Sequence, residues 1–300
     1  MVRQSGHRDV LCVGIGHCSH GLGGPDEAQH LQHRGLYHAG AHRADDGLRG
    51  LPVFPDLSFH PAGRGTGGTA ADYAQGVTGM EHRLLGFFSG FPSRHFPRDV
   101  AGRLAREMTQ RDSLVFVSAW PGDYERNDSD CAGMYDMFLE YGLDFLHHDV
   151  IDNRMEAAQA VRLIQEASCV FLMGGHPGLQ MRLIRDAGLD AAICDFPPVV
   201  LGISAGSINM AKRSLDTKES LVPYEGLGLA DITVKPHFSP DDETVLSTLL
   251  KVSQELPLCA MEDDSAIFLA DGEASHTGRV HWVDKGGIRP FFQGSQFFHL

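Results

Sequence analysis

Residues 169–210 read CVFLMGGHPGLQMRLIRDAGLDAAICDFPPVVLGISAGSINM. The stretch opens on an apolar run, CVFLM, that ends in Gly174-Gly175, and LQMRLIRDAGL (179–189) then carries its apolar residues at helical spacing. Gly188 is placed to stop that helix, because a residue without Cβ takes the left-handed turn that commonly ends one. A second apolar run, VVLGI (199–203), follows Pro197-Pro198 and halts at Ser204. Strand, helix and strand in this order make the crossover unit that joins parallel strands.

The same alternation extends upstream. LLGFFSG (84–90), LVFVSAW (114–120) and FLHHDVI (145–151) read as strands, and PRDVAGRLAREM (97–108), CAGMYDMFLEYGL (131–143) and MEAAQAVRLIQEA (155–167) as helices. Apolar strands with little polar alternation are buried on both faces, so the pattern predicts an α/β fold: a three-layer α/β/α sandwich around a mostly parallel, doubly wound sheet.

Composition narrows the chemistry. A chain of 300 residues with 42% apolar content can bury a sizeable core. Its longest apolar runs are strand-sized, short of the roughly 20 residues that a membrane-spanning helix needs, and Val10–Ile15 lacks the flanks of a signal peptide. The expectation is a cytoplasmic protein. A net charge of -14 argues against nucleic acid or an anionic membrane as partner. Small-molecule or peptide chemistry is left, with a homo-oligomer open. The cysteines at 12, 18, 131, 169, 194 and 259 form no C-x-x-C pair and read as reduced thiols.

Residues 1–79 differ from the rest. They hold 8 of the 17 histidines, 16 of the 35 glycines and no lysine, and no apolar period is sustained in them. His17-Cys18-x-His20 and His30-x-x-His33 lack the second pair of a zinc site, so no metal is expected. The head is expected to be a disordered extension or the product of a misassigned start, with residues 80–300 as the single folded α/β domain.

Gly202-x-Ser204-x-Gly206 has the form of a nucleophile elbow, a sharp strand-to-helix turn that lifts a hydroxyl clear of the sheet above a helix N-terminus. Short patterns of this kind also arise by chance. A serine hydroxyl needs a histidine base, and the histidine a carboxylate to fix its tautomer. Of the histidines after Ser204, only His237 lies in a stretch of both strand and turn character, ADITVKPHFSPDDE (230–243). The carboxylate candidates are Glu262, Asp263 and Asp264 in LCAMEDDSAIFL (258–269), and Asp216 after the elbow. Counting by twos from Ile267 along an unbroken strand puts Asp263 on one face and Glu262 on the other. An oxyanion hole would come from the N–H of Ala205 and from the Gly174-Gly175 turn.

FLMGGHPGLQMRLI, VVLGISAGSINM, PYEGLGLADITVKPHFSP and AMEDDSAIFL resemble, in that order, the signature segments of the peptidase E (aspartyl dipeptidase) family, which includes the cyanophycinases. The resemblance spans about residues 80–292 and implies a class I glutamine-amidotransferase-like fold. It also implies Ser204 as nucleophile and His237 as its base. The family's acid falls on Asp263 in a gapless comparison, on Glu262 after a one-residue shift, or on Asp216 where an acid between serine and histidine is counted.

Where the family commonly has a G-G-G-N-T-like turn this chain has GGHPG (174–178), so an amide and a hydroxyl able to contact substrate are missing. The resemblance implies a serine hydrolase without cofactor, acting as a dipeptidase or exopeptidase on a small peptide with an aspartate-like amino-terminal residue. Arg126, His176 and Arg182 are the candidates for binding its carboxylate. Two other readings stay open: a non-catalytic relative that keeps the fold, and an α/β-hydrolase-like esterase with Asp216 as its acid.

Overall fold

The computed structural model describes residues 83–215 and 223–291, all within the unit Thr66–Leu300. The head at 1–79 and Asp216 lie outside the described residues. The strands are β1 (Leu84–Phe88), β2 (Ser113–Val117), β3 (His147–Ile151), β4 (Cys169–Leu172), β5 (Val199–Ile203), β6 (Arg213–Leu215), β7 (Pro223–Glu225), β8 (Val234–Lys235), β9 (Leu258–Met261), β10 (Ala266–Ala270), β11 (Glu273–Thr277), β12 (Val280–Asp284) and β13 (Gly287–Pro290). The helices are α1 (Arg98–Glu107), α2 (Tyr124–Leu139), α3 (Ala157–Glu166), α4 (Pro177–Asp186), α5 (Asp190–Asp195), α6 (Ala205–Met210) and α7 (Glu243–Val252).

The main sheet has seven strands in the order β11-β10-β1-β5-β4-β2-β3. β1, β5, β4, β2 and β3 are parallel, and the β10–β11 hairpin closes one edge antiparallel. The hairpin loop is Asp271-Gly272, both at positive φ (53° and 76°), as a two-residue turn matched to strand twist requires. A second sheet, β13-β12-β9-β8, packs its own small core of Phe238, Leu249, Leu258 and Val283.

Burial on both faces follows from the apolar strands. Val115, Val170 and Val200 pack with Ala160 and Ile164 of α3, Ile184 of α4 and Ile193 of α5. Phe116, Phe171 and Leu201 pack on the opposite side with Val100 and Leu104 of α1 and Phe138 of α2. Phe88, fully buried beneath the end of β1, has the rings of Phe91, Phe96, Phe171 and Phe268 within 5.4–6.2 Å.

Two helices depart from the sequence reading. α2 starts at Tyr124, well before residue 131, because Asp123 caps it by accepting from the Arg126 N–H at 3.3 Å. The polar first turns hid the start. α5 is too short for its apolar residues to show a period.

The cap region also holds a buried charge. Asp152, 1% exposed, accepts from Asn127 at 3.0 Å and from the Arg154 guanidinium at 2.7 Å, and Arg154 reaches Asp128 as well. Burial by itself would push the Asp152 carboxyl up, but the Arg154 and Asn127 hydrogen bonds together hold it below the usual range. A carboxyl lowered by folding contributes stability above its unfolded value, about 3.9, and loses it as pH falls through the folded value. Urea midpoints should therefore drop steeply below about pH 4, and less steeply in Asp152→Asn.

Candidate active site

Ser204 sits at the junction of β5 and α6 with φ 52° and ψ -109°, a backbone conformation that costs a non-glycine residue about 1–3 kcal/mol. Its N–H donates to the Phe88 carbonyl at 3.0 Å. The buried Ser207 hydroxyl accepts from the Phe88 N–H at 2.9 Å and lies 2.6 Å from the Gly202 carbonyl. The flanking glycines are needed for close approach: a Cβ on Gly202 would lie 2.6 Å from Met210 Sδ, and one on Gly206 would run into the Leu172 carbonyl.

The strand register gathers the remaining groups. Phe88 of β1 lies opposite Ile203 of β5 and also opposite Ala266 of β10, so residues 89, 204 and the turn before 266 meet beyond the carboxyl ends of the parallel strands. β8 runs parallel to β9 with Lys235 beside Ala260, which carries His237 level with the residues after Met261. His237 Nε2 lies 2.8 Å from Ser204 Oγ, and His237 Nδ1 lies 2.7 Å from Asp263 Oδ1. His237 itself has φ 54°, and its N–H donates to Ser89 Oγ at 2.8 Å. Ser89, fully buried, is 3.0 Å from the Met261 carbonyl and 3.4 Å from Asp263 Oδ1.

Among the acidic candidates, Glu262 requires a correction. It is turned away from His237 and buried against His281 at 2.8 Å and Arg279 at 2.7 Å. The chain does not run as one strand through this segment: β9 ends at Met261, β10 begins at Ala266, and Asp264 has φ 61°. A turn, and not strand alternation, aims Asp263 at the histidine. The Asp264 N–H is tied to the Gly90 carbonyl at 2.8 Å. Asp216 lies outside the described residues, and the esterase reading, which needed it, loses its order because Asp263 follows His237 in the chain.

Sequence reasoning passed over Ser89 and Gly90, whose only signal was a pair of small residues at the end of a strand. A Cβ on Gly90 would collide with the His237 ring and come within 2.8 Å of Asp263 Oδ1. Gly90→Ala is expected to cut any turnover by roughly 10²-fold while the fold survives, since angstrom-scale displacement of reacting groups has that cost. Steady-state rates alongside thermal melting check it.

The profile of peptidase family S51 matches residues 103–277, which is more than half of the chain. The chain belongs to peptidase family S51. This is the peptidase E family, so the fold and the relationship expected from the four segments hold, and the protein is a hydrolase of peptides. The crystal structure of a peptidase from an acI-B1 Actinobacterium superimposes with a TM-score of 0.57 at 16% identity, over 71% of this chain and 95% of that one. A putative peptidase E protein from Listeria monocytogenes EGD-e gives a TM-score of 0.49 at 17% identity, over 65% of this chain and 98% of that one. No curated protein matches the chain.

In this S51 member a cleft of about 480 Å³ opens beside Ser204 and His237 and reaches Gly174 and Gly175. A Cβ placed on Gly174 would stand 3.6 Å from Ser204 Cβ, so the turn ending β4 adjoins the elbow, as does Ala205 at the first position of α6. Arg94 and Arg126 line the cleft. Arg126 is paired with Asp130 at 3.3 Å and lies over the Trp120 ring. Arg94 has φ 58°, is exposed, and its guanidinium has no ion pair among the described residues. His176 caps α4 instead of entering the cleft, accepting from the Leu179 N–H at 3.3 Å, and Arg182 does not line the cleft.

The described thiols are not nucleophiles in waiting. Burial pushes Cys131 up to about 12 and raises Cys169 and Cys259 further. Among the described residues no group of three or more His, Cys, Asp or Glu is arranged to hold a metal, and no helix is long and apolar enough to cross a membrane.

Proposed function

We propose that this peptidase is of the serine type and acts as a dipeptidase or exopeptidase, through an acyl-enzyme on Ser204. The observation that carries the reading is the continuous chain Ser204–His237–Asp263, with contacts of 2.8 and 2.7 Å on the two ring nitrogens of one imidazole. His237 Nε2 takes the hydroxyl proton as Ser204 Oγ attacks the peptide carbonyl, and Asp263 holds Nδ1–H and stabilises the imidazolium. The oxyanion of the tetrahedral intermediate is met by the amides of Ala205 and of the Gly174-Gly175 turn. The imidazolium then protonates the leaving amine as the C–N bond breaks. Water, deprotonated by His237, releases the acyl group and restores the serine.

On the substrate side, a small peptide with an acidic amino-terminal residue suits the cleft, because Arg94 can meet a carboxylate without first breaking an ion pair to a described residue. Two measurements test the proposal together. A fluorophosphonate should label Ser204 rapidly, and dipeptides beginning with Asp should be hydrolysed faster than those beginning with Ser or Lys. A serine that labels no faster than a surface hydroxyl would favour the non-catalytic reading, for which the GGHPG turn is the supporting feature.

A further inference from the structure

Part of the cleft lining beside Ser204 and His237 is uncharged. Met134 and Met137 face it from α2, Met173 from the end of β4, Ile203 from the residue before the serine, and Phe91 from the loop after β1. Met137, Met173, Phe91 and Ile203 are otherwise buried, so their cleft-facing atoms form the floor of a hollow already shielded by the protein, and Met134 is half-buried in the same lining. The arginines are among the exposed residues of the lining. An acidic side chain would meet a cation at the rim and none on this floor.

An apolar stretch of lining within a pocket of this size suits an organic side chain, and unbranched, polarisable methionines adapt to more than one shape. We propose that the methionine-floored part of the cleft is a subsite for an apolar side chain of the substrate, so that the preferred peptide carries an apolar residue beside the scissile bond as well as a carboxylate for the rim. The assignment rests on the serine reading of Ser204 above. Met134 is the side chain through which the subsite is altered with least risk to the fold, since Met137 and Met173 belong to the buried core.

The test compares kcat/KM for two dipeptide pairs, Asp-Leu against Asp-Ser and Leu-Ala against Ser-Ala, in the wild type, Met134→Leu and Met134→Asn. Preference within the first pair places the apolar residue on the leaving side, beside the acyl-side aspartate; preference within the second alone places it on the acyl side and overturns the acidic amino-terminal reading while keeping the subsite. At least one pair should favour leucine by roughly tenfold or more, the usual discrimination of an apolar pocket. That ratio should persist in Met134→Leu and shrink severalfold in Met134→Asn, with all three proteins melting cooperatively.

Labelling of Ser204 by a hexyl fluorophosphonate and by an ether-chain fluorophosphonate of equal length reads the same subsite without peptide turnover, the hexyl reagent reacting faster in the wild type. Ratios near one in both pairs and with both reagents, or a ratio that Met134→Asn leaves intact, overturn the subsite while rapid labelling keeps the serine reading. Loss of both hydrolysis and labelling overturns both.

Discussion

Ser204→Ala should lower turnover by roughly 10³-fold or more, measured as release of free amino acid from a dipeptide, with the melting transition preserved. The nucleophile and its base act as a unit, so the residual rate comes from binding and the oxyanion donors alone. The substitution removes an oxygen 2.8 Å from His237 Nε2 and leaves the main-chain bond from residue 204 to the Phe88 carbonyl in place. Stability should change little, because alanine meets the same positive φ that serine already endures. Comparable rates for the two proteins would remove Ser204 from the mechanism.

Asp263→Asn should cut turnover by roughly 10²- to 10⁴-fold, because an amide can hold the imidazole in the wrong tautomer and does not stabilise its positive charge. Glu262→Gln separates the neighbours. Its carboxylate serves His281 and Arg279, so the variant should melt at a lower temperature and keep turnover near that of the wild type. Asp216→Asn completes the set; a large loss there, with Asp263→Asn unaffected, would move the acid to the segment after the elbow. The pH–rate profiles of the three variants add a readout that a merely structural role would not move.

The core of the fold was legible because its strands are apolar on both faces and its helices keep a 3.6-residue period. LLGFF, SLVFV, CVFL and VVLGI could not be stable in water unless covered on both sides, and the helices between them supply that cover. What escaped reading were elements whose signal is polar or short: the capped start of α2, the six-residue α5, and the C-terminal strands of the second sheet. The Asp271-Gly272 turn is a hairpin signal after the apolar run of β10, and it folds β11 back onto β10, which itself pairs with β1.

For the site, local sequence pointed to Ser204 and to His237 as the candidates that the structure brings within 2.8 Å of each other, since an elbow is built from adjacent residues whose small neighbours are visible in the chain. The choice among Asp263, Glu262 and Asp264 was not local. It depended on where β9 stops, on a turn held by Gly90 in the loop after the distant β1, and on His281 and Arg279 claiming Glu262 for the other side. A contiguous run of acids carries no information about direction, because side-chain direction is set by backbone dihedrals and those by partners far away in sequence. Ser89, Gly90 and Arg94 took their places for the same reason: only the register of β1 against β5 and β10 brings the end of β1 to the serine.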